Sequence, residues 1–301
     1  MRRASLACAV AGVLALTAAC GTTDDAHEKR ERPLAAAELD LLTRSGTFVR
    51  TSTGLANKES ELIAACMAKK GFRYRADKMA RPAGSDEQRT LNMRDRRSRG
   101  YGLGDQYASG SHGRGSSPND AYVSSLSEKE SAAYMKALRG SGSDFREMRF
   151  GGGQKVTFSA RGCEAESRKH LYGSVDDWVS VAYYPQNLNG RLTPLVEESP
   201  KYRKAMTDWK TCMRAEGYPY GSPDDAYERL RAAYHKQGAD PALRNREVSV
   251  AVADGKCAAK LHIPSLALAL RRSYAKSLPD DDKARLRYLT SVWRAAAARA
   301  R

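Results

Sequence analysis

Apolar positions recur at helical spacing along most of this chain. From about Ser60 to Lys70, Leu62, Ile63, Cys66 and Met67 fall on one face at three and four spacing, which predicts an amphipathic helix. A shorter helix is expected to start near Pro33 and run through Leu42. "SLSEKESAAYMKALRG" reads as a helix capped by Ser125 or Ser127, with Tyr134, Ala137 and Leu138 facing inward and Gly140 as its stop. In "SPDDAYERLRAAYHK", Ser222 caps, Pro223 takes the first helical position, and Asp224 and Asp225 face the positive end of the dipole. "REVSVAVADGKCAAKLHIP" sets Val250, Ala253, Cys257 and Leu261 on one face, and "SARGCEAESRKHLYG" carries Cys163 with Leu171 two turns on. Pro279 and Asp280 to Asp282 open a long final helix with a stripe of Leu286, Leu289, Trp293 and Ala297. The pattern predicts an all-α fold.

Two stretches break the pattern. Residues 75–120 include "RSRGYGLGDQYASGSHGRGSSPND", rich in Gly, Ser and Arg and without apolar periodicity, which predicts a long mobile loop. Within it Arg94, Arg96, Arg97 and Arg99 interleave with Tyr101 and Tyr107, a mixture that RNA-binding segments share. Here it reads as a solvated loop first and as a loop touching wall polymer or a partner second, and, given the export signal at the N-terminus, no nucleic-acid partner is expected. Residues 173–200 hold Pro185, Pro194 and Pro200 among turn formers and are expected to join two halves, residues 34–180 and 181–301.

Each half carries the same short pattern. "ACMAKKGFRY" (Ala65 to Tyr74) and "TCMRAEGYPY" (Thr211 to Tyr220) both put Met directly after Cys, Gly five after the Cys and an aromatic next. Gly after a periodic helix with basic residues in its last turn is a helix stop. With Gly71 in the left-handed conformation, Phe72 is the next residue out and Met67 is its hydrophobic partner in a Schellman cap; Gly217, Tyr218 and Met213 hold the same places. Trp209 precedes Cys212 by three, as Ile63 precedes Cys66. The pattern is thus a helix terminus with a covalent attachment point, and no catalytic role is assigned to the Cys-Met pair.

The N-terminus sets the compartment. Met1-Arg2-Arg3 is a basic start, and Ala4 to Ala19 is an apolar run without an acid, too short to span a bilayer comfortably and ending in small residues. Residues 1–19 therefore read as a secretory signal. "LTAAC" (Leu16 to Cys20) resembles a bacterial lipobox, although Thr17 stands where Leu, Val or Ile is usual. That resemblance implies cleavage before Cys20 and its diacylation, and two acyl chains anchor a protein stably, whereas Thr17 and Ala19 also suit ordinary signal peptidase cutting at the same bond, which would leave the chain secreted without a lipid. Residues 20–33 are polar and charged and read as a flexible tether.

Cysteine usage follows from this. Cys8 leaves with the signal and Cys20 carries the lipid, so Cys66, Cys163, Cys212 and Cys257 remain, an even number with three possible connectivities. The simplest pairing is Cys66 with Cys163 and Cys212 with Cys257, one staple per half. Four isolated cysteines without a His at finger spacing argue against zinc, and no metal or cofactor is expected. The formal charge of +16 falls to +14 once Arg2 and Arg3 are removed. A basic exported protein on an anchor should lie close to anionic lipid headgroups or anionic wall polymer. Arg outnumbers Lys 34 to 17, so part of that surplus fits a high-GC codon bias.

The residues Trp209, Cys212-Met213, Gly217-Tyr218, Glu247, Ala251, Ala253-Asp254 and Cys257, followed by a long C-terminal helix, resemble a group of uncharacterised secreted or lipid-anchored actinobacterial proteins. Tyr134, Leu138, Gly140, Cys163 and Leu171-Tyr172-Gly173 fit the same group. The resemblance implies a disulfide-stapled helical lipoprotein and brings no catalytic residue with it.

Catalytic signatures are sparse. The chain has no His-Glu-x-x-His, no Gly-x-Ser-x-Gly and no dinucleotide fingerprint, and "FGGGQKVT" (Phe150 to Thr157) lacks P-loop spacing. His27, His112, His170, His235 and His262 are scattered. Asp176-Asp177 and Glu197-Glu198 are the neighbouring acids that glycoside cleavage would ask for, but at a turn such acids serve as helix-start charges. Glu247 and Asp254 lie seven apart on one helix face, where they either share a site or pair with Arg or Lys. The expectation is a lipid-anchored, non-catalytic binding or accessory module on the outer face of the membrane, whose partner is a membrane protein or an anionic wall polymer. The alternatives are a wall-polymer hydrolase and a small-ligand binder with a pocket between the halves.

Overall fold

The computed structural model describes residues 32–108 and 117–301; the expected signal, Cys20 and the tether through residue 31 lie outside the described residues. Side-chain caps fix several starts. Ser127 Oγ accepts from Glu130 N, Ser222 Oγ from Asp225 N, Ser174 Oγ from Asp177 N and the Asp240 carboxylate from Leu243 N. Each satisfies one of the amide groups a helix leaves open at its first turn. The elements run α1 (Ala36–Thr43), α2 (Thr47–Lys69), α3 (Asp86–Leu91), α4 (Met93–Arg99), α5 (Leu103–Ala108), α6 (Pro118–Ser124) and α7 (Glu128–Arg139). A hairpin of β1 (Phe145–Arg149) and β2 (Lys155–Ser159) follows, then α8 (Gly162–Tyr172), α9 (Val175–Arg191), α10 (Thr193–Glu198), α11 (Pro200–Ala215) and α12 (Pro223–Gln237). The chain closes with α13 (Pro241–Lys260), α14 (Ile263–Tyr274) and α15 (Asp280–Arg299).

The fold is all-α apart from this antiparallel hairpin, whose register sets Phe145 opposite Ser159 and Met148 opposite Val156. "FGGGQKVT" is its turn and second strand. Val156 and Phe158 turn inward onto Val175 and Val179 of α9. Alternation with β-branched and aromatic residues at 155–159 was the strand signal, and the glycines masked it.

Two expectations are corrected. Much of the stretch expected as a mobile loop is helical: residues 86–108 form α3, α4 and α5, and residues 118–124 form α6. Capping boxes were the missed signal, Ser85 with Gln88 and Ser117 with Asp120. Residues 173–200, expected as a join, are also helical. Pro185 sits buried inside α9, where flanking Val179, Val181 and Leu188 bury an apolar face that outweighs the amide a proline cannot donate.

Residues 33–301 form one compact unit. One cluster gathers Trp209, Met213, Leu230, Tyr234, Val250 and Cys257, together with Leu91 and Leu103 from α3 and α5. Another unites Leu41, Leu55 and Val181 with Leu289 and Trp293 of α15. The two stretches on either side of residue 180 thus exchange elements: α3–α5 pack on α13, and α15 packs on α1, α2, α8 and α9.

Two disulfides are present, Cys66–Cys163 and Cys212–Cys257, with Cα atoms 5.6 and 5.8 Å apart. The first ties α2 to α8 and the second ties α11 to α13. Chain separations of 97 and 45 residues make them worth about 5 and about 4 kcal/mol on the chain-entropy account. Cys66→Ala/Cys163→Ala and Cys212→Ala/Cys257→Ala are expected to lower the unfolding free energy by roughly these amounts in denaturant titrations. A loss under about 1 kcal/mol in either pair would show that the staple is dispensable.

Burial, and a hydrogen bond of 2.7 Å given to Asp282, push the Tyr184 hydroxyl up to about 12. A folded state that keeps a proton which the unfolded tyrosine loses near 10 is favoured below pH 10, and this contribution is lost as pH rises from about 10 to 12. Unfolding free energy is therefore expected to fall across that window, less steeply in Tyr184→Phe. Equal slopes in both proteins would remove Tyr184 from the account.

Candidate functional site

The repeated motif builds the same joint twice. Gly71 N donates to Ala68 O (3.0 Å) and Phe72 N to Met67 O (3.0 Å); Gly217 N donates to Arg214 O (3.1 Å) and Tyr218 N to Met213 O (2.8 Å). These are the paired bonds of a Schellman cap, and Gly71 and Gly217 take φ of +83° and +87°, a region closed to most side chains. Met67 and Met213 are fully buried, and Phe72 stacks edge-on against Tyr134 with ring centroids 5.5 Å apart.

Beyond the joint the copies diverge. In the second, Trp209 Nε1 donates to Asp254 Oδ1 (3.0 Å), so a hydrogen bond runs one turn from the Cys212–Cys257 bridge. Asp254 Oδ2 also accepts from Arg96 (2.6 Å) and from the Tyr101 hydroxyl (3.1 Å). Two turns earlier Glu247, with no exposed surface, accepts from the backbone amides of Tyr101 and Leu103 at Oε1 and from Gly104 N and the Tyr234 hydroxyl at Oε2, all at 2.8–2.9 Å. The two acids do share a site, with different roles: Asp254 pairs with an arginine, whereas Glu247 caps α5 through backbone amides. Burial and the adjoining carboxylates push the Tyr101 and Tyr234 hydroxyls upward, so both stay protonated donors. Gly255 makes this docking fit, because a Cβ there would lie 2.9 Å from Arg96 Cδ and closer still to Met93 Sδ. Tyr101, expected in a loop, instead packs edge-on against Tyr227.

In the first copy α8 begins one residue before Cys163, so no carboxylate-bearing turn precedes the cysteine. The space beside it is a cleft of about 620 Å³. Lys70 from the end of α2, Lys136 from α7, Arg161 from the turn after β2 and Lys169 from α8 line it, with Asp144 and Glu166 as its acids. Lys70 pairs with Glu166 at 3.1 Å and Arg161 with Asp144 at 3.3 Å. Asp144 also accepts from Ser141 N and Oγ, and these bonds, then Arg161 and Lys136, hold its carboxyl below the usual range. Lys136 and Lys169 have no ion-pair partner among the described residues. Glu166 Oε2 lies 3.3 Å from Cys66 Sγ, but a disulfide sulfur has no proton to give, and the bridge leaves neither sulfur as a thiolate for a metal.

Asp176, Asp177 and Glu87 are spent locally. Asp176 pairs with Arg146, and Asp177 accepts from Ser174 at the start of α9 and from the Tyr288 hydroxyl. Glu197 and Glu198 end α10. Glu87 accepts from Ser265 Oγ (2.6 Å) through one oxygen and contacts His262 Nδ1 (3.1 Å) through the other. These three residue types serve as a catalytic triad only when His touches Ser, and here the carboxylate separates them. No protein-family model, curated protein or solved structure matches the chain.

Glu247→Gln turns an amide donor toward backbone donors in a buried site, which costs about 2–3 kcal/mol. Hydrogen exchange at Leu103 and Gly104 is expected to accelerate together with a matching loss in denaturant stability. Unchanged protection at these amides would show that another contact holds α5 to α13.

Proposed function

We propose that this protein is a non-catalytic binding or accessory module on the outer face of a cytoplasmic membrane, held there by acyl chains on Cys20, and that its partner is anionic. The observation that carries this reading is the basic cleft beside Cys66–Cys163, which four cations and two acids line and where Lys136 and Lys169 have no ion-pair partner among the described residues. Cations without partners in a concave surface present a positive potential at which an anion gains more than on a flat, fully solvated face. Two disulfides fit an oxidising, extracytoplasmic compartment. No described helix is long and apolar enough to cross a membrane. The binding role is favoured over wall-polymer hydrolysis because Asp176 is held by Arg146, Asp177 serves the start of α9, and Glu247 and Asp254 hold the α5–α13 joint, which leaves Glu197 and Glu198 at the end of α10 as the acids without such a role.

A second reading, capture of a small polar ligand, draws support from a cleft of about 450 Å³ that spans both halves. Arg44, Asp86, Asn189, Leu268 and Arg271 are among its lining residues.

Metabolic labelling with an alkynyl fatty acid is expected to mark the native chain in the membrane fraction and to leave Cys20→Ser unlabelled and released. Crosslinking in intact cells is expected to recover either one recurrent membrane protein or wall polymer. Release of reducing ends from wall polymer by the purified protein, lost on replacing a single acid, would overturn the non-catalytic assignment.

A further inference from the structure

We infer that the cleft beside Cys66–Cys163 is a phosphodiester-binding site, occupied by the phosphate groups of an anionic envelope polymer. This deepens the binding-module reading and rests on it. Three of the four cations are lysines, brought together from the ends of α2, α7 and α8. A lysine ammonium meets phosphate oxygens as a compact point charge from any direction, and the fork of the one arginine fits a phosphate as well. Of the four, Lys136 and Lys169 are exposed and unpaired among the described residues. The cleft's two acids hold the other two cations: Glu166 holds Lys70 and Asp144 holds Arg161.

Shape favours a polymer over a lipid surface. The charges line a cleft of about 620 Å³, which admits a chain segment, while a bilayer presents its headgroups in a plane that reaches a concave lining poorly. Glu166 gives the site a distinctive sign. Its side chain is 61% exposed and its carboxylate occupies Lys70, so it competes with an incoming anion and contributes little to stability.

The test uses the exported chain carrying Cys20→Ser, titrated with soluble poly(glycerol phosphate) by calorimetry at low and at physiological salt. Binding that weakens with salt is expected, as is a loss of tenfold or more in Lys136→Glu/Lys169→Glu. Glu166→Gln is expected to tighten binding severalfold, an outcome that a folding defect cannot imitate. Lys201→Glu/Lys210→Glu changes net charge equally outside the cleft and is expected to bind like the parent. The inference is overturned if the cleft double variant binds like the parent, or if both double variants weaken alike, since either result leaves only diffuse surface charge. Stronger binding to phosphatidylglycerol vesicles than to the polymer, lost in the cleft double variant, would overturn the polymer as occupant and assign the site to lipid headgroups. Polymer capture that survives in the cleft double variant leaves the binding module standing with its site elsewhere, whereas polymer cleavage by the parent chain removes the module reading itself.

Discussion

The Glu247 carboxylate is the interaction on which the arrangement of the second half depends. A charge with no exposed surface is tolerated only when nearly all its lone pairs are used, and here two oxygens accept four bonds, three of them from backbone amides at 101–104. Those amides open α5, so one side chain of α13 both closes a helix start and positions a segment more than a hundred residues away in sequence. Asp254, two turns along the same helix, adds Arg96, Tyr101 and Trp209 to the same joint. The segment 86–108 brings only Leu91 and Leu103 as buried apolar anchors, and polar groups on α13 carry much of the remainder.

The two copies of the motif show how one local solution takes different surroundings. Both end a helix with the same cap, bury a methionine beneath it and offer a cysteine to a second helix. In the second copy that helix is long, and its preceding turns hold the acids that draw α4 and α5 onto it. In the first, the partner helix starts one residue before its cysteine, and the ground beside it is left to a cleft with basic walls. The asymmetry divides labour: a joint sealed by buried carboxylates in one copy, and an open, positively charged surface in the other.

Covalent ties suit such a chain. Several separate apolar clusters share the interior rather than one large core, and many surface contacts are exposed ion pairs, which stabilise little singly. Disulfides closing loops of 97 and 45 residues limit the unfolded chain in the regions where packing is divided.

The amino-acid sequence by itself determined what depends on neighbours within a turn or two. Helix starts at Ser222 and Pro279, a start at Ser125 or Ser127 that the structure places at Ser127, helix stops at Gly71 and Gly217, and the cysteine faces of α2, α8, α11 and α13 follow from periodicity and capping chemistry, and the cysteine pairing from assigning one bridge to each half. Where a local signal conflicted with distant packing, tertiary structure decided. The glycine- and arginine-rich stretch becomes α4 and α5 because Glu247 and Asp254 supply partners that no window around residues 93–108 contains. Pro185 stays inside α9 because its flanking valines and leucine are buried. The basic cleft was not legible in the sequence, because that four cations meet in one concavity depends on how α2, α7 and α8 converge, which residues far apart in the chain fix together.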